Sequence, residues 1–98
     1  MAYKISWTEI ALEDYHAIID YLITHWSLSI AVDFENTVNQ KLSNLSKRPF
    51  AGIKSDKNPS VRSILFTKHN RLYYRITGNN IELLTIIDTR RNPEKNPF

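Results

Sequence analysis

Between Pro49 and Val61 the spacing of apolar residues changes from steps of three and four to steps of two. No single element survives such a change, because a helix repeats every 3.6 residues and a strand every two. The chain must therefore be helical before this junction and sheet-forming after it. Upstream, Ala11, Tyr15, Ile18, Ile19, Leu22 and Trp26 make one apolar stripe, and Ala31, Phe34, Val38, Leu42 and Leu45 make a second. The serines of "HWSLS" lie between the stripes and are able to cap a second helix, so an antiparallel helical hairpin is expected. Thr8, or Ser6 paired with Glu9, starts the first helix. Pro49 ends the second, since proline lacks an amide hydrogen and disfavours helical geometry in the residue before it.

Ahead of the helices, "YKISW" alternates and reads as a strand over Tyr3 to Trp7. After them, "FAGIKSDKNPS" reads as a basic, turn-rich loop. "VRSILF" and "RLYYRIT" follow as strands, and "TGNN" supplies a hairpin turn into "IELLTIID". That last strand is apolar on both parities and belongs in the interior of a sheet. The expectation is a single domain over residues 1–98, of α+β class and order β-α-α-β-β-β. In it the N-terminal strand and the helical hairpin pack on one face of a mainly antiparallel four-stranded sheet.

Several function classes drop out. No apolar stretch approaches the ~20 residues that cross a bilayer, and there is no signal-like N-terminus, so no membrane role is expected and the cytoplasm is the expected location. The absence of cysteine removes disulfides and thiolate chemistry. His16, His25 and His69 are scattered without ligand spacing, and Gly52 and Gly78 are too few for a phosphate loop, so neither a metal nor a cofactor is expected. Asp14 reads as a solvated helix-surface acid.

Charge is polarised. Residues 1–40 carry one base against six acids, and residues 41–98 carry twelve bases against four acids. A half this basic favours an anionic partner. Strand parity puts Leu72, Tyr74 and Ile76 toward the helices and Arg71, Tyr73 and Arg75 on the uncovered face. Arg62 enters the neighbouring strand, and Arg90 and Arg91 leave the last one. Together these residues form the candidate target-binding surface, in which arginine forks suit oxyanions and Tyr73 offers a stacking ring. A plainer possibility is that Glu82 and Asp88 pair with these arginines across strands. His69, in the turn-like "TKHNR", has an ordinary pKa that suits proton transfer but reads first as a solvated loop residue, with Lys68 and Glu82 as the other candidates.

Four segments, "YKISWTEIALEDYHAIIDYL", "WSLSIAVDFENTVNQKLSNLSKRPFAG", "VRSILFTKHNRLYYRI" and "IELLTIIDTRRNP", cover nearly the whole chain. In order and spacing they resemble the RelE/ParE superfamily of toxins from bacterial type II toxin–antitoxin systems. The resemblance implies a toxin held inactive by a cognate antitoxin in a hetero-oligomer. Two branches follow from it. The ParE-like branch, of plasmid stabilisation type, blocks DNA gyrase. The RelE-like branch is an mRNA interferase that cuts mRNA in the ribosome without metal, and it would use His69, Arg71 and Arg90 as catalytic residues. Against the RelE-like pattern, Arg62 matches the first of two alternating basic residues while Ile64 takes the place of the second. Phe98 is the only aromatic residue near the C-terminus, and it cannot transfer a proton. Arginine, with a pKa above ~12, is a poor base. The ParE-like branch is therefore the expectation, and an enzyme activity is not.

Overall fold

A computed structural model describes residues 2–90 and 96–98. Strand β1 (Lys4–Trp7) leads into helix α1 (Glu9–His25), and α2 (Leu28–Lys47) follows after a two-residue break. A single 3₁₀ turn (Pro49–Ala51) then precedes β2 (Ile53–Lys54), β3 (Val61–Thr67), β4 (Asn70–Thr77) and β5 (Asn80–Asp88).

Both helices begin where their caps predict. The Thr8 hydroxyl accepts from the Ala11 amide at 3.1 Å and donates to the Leu83 carbonyl at 2.7 Å, so one atom starts α1 and ties it to β5. Ser27 Oγ accepts from the Ile30 amide at 3.1 Å. Each such cap is worth about 1 kcal/mol. The second stripe is buried in full: Ala31, Phe34, Val38, Leu42 and Leu45. In the first, Ala11 is buried and Tyr15, Ile18, Ile19 and Leu22 pack against the core, but Trp26 is 68% exposed. Trp26 is the cap residue beyond α1 with non-helical backbone, so the helical period no longer aims it inward.

The sheet has five strands rather than four, in the order β1-β5-β4-β3-β2. The additional strand lies in the segment expected to be loop. Ile53 and Lys54 pair with Ser63 and Arg62, and two residues are too few to show an alternation in sequence. β1 runs parallel to β5, and the other pairings are antiparallel. β5 thus lies between β1 and β4, as its apolar character on both parities requires. The β4–β5 hairpin turns through Gly78, whose φ of 61° fits the two-residue turn that needs glycine at its first position.

Leu72 and Tyr74 of β4, Ile81, Leu83 and Ile86 of β5, and Phe66 of β3 meet Phe34, Val38, Leu42 and Leu45 of α2 and Ala11 in one core. Tyr74 is fully buried yet satisfied. Its hydroxyl donates to the Pro49 carbonyl at 2.7 Å and accepts from the Gly52 amide at 3.0 Å. Burial pushes its phenol pKa up. This hydroxyl fastens the 49–52 turn to the sheet, and glycine is required at position 52: a Cβ there would collide with the tyrosine hydroxyl and stand 2.9 Å from the Ser63 carbonyl.

Candidate functional site

Alternation along β4 separates its side chains as predicted. Leu72 and Tyr74 enter the core, with Ile76 packed against it, and Arg71, Tyr73 and Arg75 take the opposite face. Register on β3 and β5 then determines each neighbour. Arg75 stands across from Glu82 and pairs with it at 2.6 Å. Arg75 is exposed and Glu82 partly so, and the pair contributes at most about 1 kcal/mol. Arg71 donates from one guanidinium nitrogen to Ser63 Oγ at 2.9 Å.

Tyr73 does not lie open. It is 7% exposed because the C-terminal residues cross this face: the Phe98 ring lies 5.5 Å from the tyrosine ring, and Asn96 Nδ2 donates to the Tyr73 hydroxyl at 2.6 Å. The Ser55 hydroxyl holds the Phe98 carbonyl, and Lys57 Nζ donates to the Asn96 carbonyl at 2.7 Å. The face read from parity as uncovered is therefore partly covered by the chain's own residues 96–98. The "NPF" segment gives no such signal in sequence, because its partner Tyr73 is far away along the chain.

The remaining arginines lie elsewhere. Arg62 pairs in register with Tyr74, which puts it on the helix-side parity of β3 with Ile64 and Phe66 rather than beside Arg71. There it donates to the Phe50 and Gly52 carbonyls at 3.2 and 2.9 Å, with its guanidinium 5.2 Å from the Phe50 ring centre. Arg90 forms a fork with Asp88, its Nε and Nη2 at 3.0 and 2.7 Å from the two oxygens, and its backbone amide adds a third bond. Those hydrogen bonds hold the Asp88 carboxyl well below the usual carboxylate range. Arg91 lies outside the described residues.

Two cavities flank the sheet and share no lining residue. One, of about 780 Å³, lies between the helices and one end of the sheet; His69, Asp88 and Arg90 line it together with Tyr21, Trp26 and Phe34. The other, of about 690 Å³, lies beside β3 and is lined by Arg71, Ser63 and Leu65 together with Lys41, Lys47 and Arg48. His69 and Arg90 thus share one cavity, and Arg71 belongs to the other. Lys41, Lys47 and Arg48 had no place in the predicted surface, although "QKLSNLSKRP" concentrates cations at the end of α2; only folding brings them to Arg71. Asp14 is also more than a solvated acid, since one of its oxygens accepts from Thr85 Oγ1 at 2.6 Å and from the Ile86 amide at 3.0 Å. Among the described residues no three His, Cys, Asp or Glu side chains stand together as a metal site.

Residues 5–93 match the family described as ParE toxin of the type II toxin–antitoxin system parDE. Among solved structures, the chain is similar to one from the chromosomal ParDE system of P. aeruginosa, with TM-score 0.75 and 22% identity over 89% of this chain and 96% of that one. It is similar to the YoeB/ParE toxin of Agrobacterium tumefaciens, with TM-score 0.62 and 21% identity over 87% of this chain and 96% of that one. A chain of the toxin–antitoxin complex RelBE2 of Mycobacterium tuberculosis has TM-score 0.61 and 21% identity over 90% of this chain and 99% of that one. At such identities the likeness shows the fold. No curated protein matches the chain significantly.

Proposed function

The chain belongs to the ParE toxin family of type II toxin–antitoxin systems, and from that premise we propose that it arrests growth by binding DNA gyrase in the cytoplasm until a cognate antitoxin neutralises it. The observation that carries this reading is the separation of Arg71 from His69 and Arg90, which line different cavities. Cutting RNA through its own 2′-hydroxyl requires a base, an acid and a charge-stabilising group around one phosphate. Among the described residues, the other ionisable groups lining the cavity of Arg71 are Lys41, Lys47 and Arg48, with no histidine or carboxylate beside them. Such a site suits holding an anionic or polar partner better than moving a proton.

The target-contact surface in this proposal centres on Arg71 and Arg75 at either side of Tyr73, while Arg62 and Arg90 lie away from it. A purified toxin is expected to inhibit gyrase supercoiling in vitro, with Arg71→Ala weakening inhibition by roughly tenfold or more, as for an interfacial arginine anchor. His69→Gln is expected to leave growth arrest unchanged. Ribosome-dependent mRNA cleavage by the purified toxin, abolished by His69→Gln, would overturn the proposal in favour of the ribonuclease branch. The antitoxin is tested separately, by co-expressing the neighbouring short reading frame and scoring rescue of growth.

A further inference from the structure

Tyr73 stands on the sheet face opposite the helices, between Arg71 and Arg75, yet it is only 7% exposed. Tyrosine and arginine are among the side chains that most often anchor a protein contact, and here the tyrosine of the trio is masked by the chain itself. The mask meets Tyr73 twice, through the Phe98 ring against its ring and through Asn96 Nδ2 at its hydroxyl. Asn96 also shapes the mask. Its Oδ1 accepts from the Phe98 amide at 2.9 Å, which closes a turn across Pro97 and turns the Phe98 ring and the Asn96 amide to the same tyrosine.

The mask is shallow. Asn96 and Phe98 are only partly buried and Pro97 is exposed. Among the described residues, no backbone–backbone hydrogen bond joins 96–98 to the sheet. Each bond to the rest of the protein runs through a side chain, that of Tyr73, Ser55 or Lys57. The pairings of β4 with β3 and β5 involve none of these three residues, so the sheet keeps its register whether or not they are seated. A segment held without ladder bonds opens at far smaller free energy than the domain unfolds.

We propose that residues 96–98 are an autoinhibitory strap: seated on Tyr73 they close the β4 face to the target, and the face becomes competent when the strap lifts. Lifting uncovers an aromatic ring and a hydroxyl between two guanidinium groups, the side-chain set of an interface anchor. Only the open fraction of the chain then binds, so the apparent dissociation constant is the intrinsic one divided by that fraction. With an open state populated at about 1–10%, removing the strap strengthens target contact about ten- to a hundredfold. The inference rests on the reading of the β4 face as the target-contact surface and deepens it, by making that surface conditional on a contact within the chain.

The test compares the full chain with the variant Asn96→Ala/Phe98→Ala, which removes both side chains that touch Tyr73 and leaves Arg71 and Arg75 in place. Nitration by tetranitromethane, mapped by mass spectrometry, is expected to modify Tyr73 about fivefold faster or more in the variant, with buried Tyr74 unchanged. Growth arrest, scored against the amount of toxin made, is expected at about one tenth of the wild-type level or less, and gyrase inhibition strengthens about tenfold or more. Adding Tyr73→Ala to the variant is expected to cancel both gains. Unchanged nitration of Tyr73 overturns the proposal. So does growth arrest that is unchanged, weaker or absent in the variant, which would make residues 96–98 a support of the surface rather than its cover. Failure of the gyrase reading looks different: the variant arrests growth at the lower level while neither form inhibits gyrase, and the strap then stands with another target.

Discussion

The Tyr74 hydroxyl is among the most constrained polar atoms in the protein, with a buried carbonyl and a buried amide as its two partners. Tyr74→Phe keeps the ring and leaves both partners unsatisfied, so a loss of about 1–3 kcal/mol is expected, read as a fall in the urea midpoint. Gly52→Ala forces a methyl against the same hydroxyl and is expected to destabilise by about 1–3 kcal/mol. Arg90 acts on a neighbouring charge. Because Arg90 holds the folded Asp88 pKa below its unfolded value near ~3.9, the pair's stabilisation is present above that value and lost as pH falls through the folded pKa. Arg90→Gln is expected to raise the Asp88 carboxylate pKa toward its ordinary value near ~3.9 in an NMR titration. Parity in "RLYYRIT" made the division between Tyr74 and Arg71 legible in advance. It could not show that Tyr73 would meet Phe98, because that contact joins residues 25 positions apart.

At the scale of elements, a helix supplies what a strand stops supplying. β1 pairs with β5 only as far as Trp7 and Leu83, after which the chain turns into α1. Beyond that point the Ile86 amide would face no partner, and Asp14 on α1 accepts from it. Asp14→Ala is expected to cost about 1–3 kcal/mol and to speed hydrogen exchange at the Ile86 amide more than at residues paired with β1. Both helices, their caps at Thr8 and Ser27 and the stop before Pro49 were readable from local signals, since each is decided within a few residues. β2 was not readable. Its two residues are a strand only because β3 lies alongside, and Asp14 looked like a surface acid because its partners are about 70 positions away.

For the whole molecule, β5 is the hub, with β1 on one side, β4 on the other and α1 across it. Leu83 is fully buried there, so Leu83→Ala is expected to cost about 2–5 kcal/mol, a large share of the roughly 5–15 kcal/mol that holds a domain together. Thermal and urea unfolding would both register it. The charge division between the first 40 residues and the rest was visible without coordinates, and so was the α+β order, because composition and hydrophobic period belong to the chain itself. Where the cations gather was decided only by folding. Strand order and register send Arg62 to the helix side, Arg90 to the helical cavity and Arg71 to the end of α2, and a one-residue change of register would redistribute all three. The sequence by itself thus determined the elements, their inward faces and the basic character of the C-terminal half. Tertiary structure alone decided which of those charges share a surface, because that depends on pairings between residues that no local period connects.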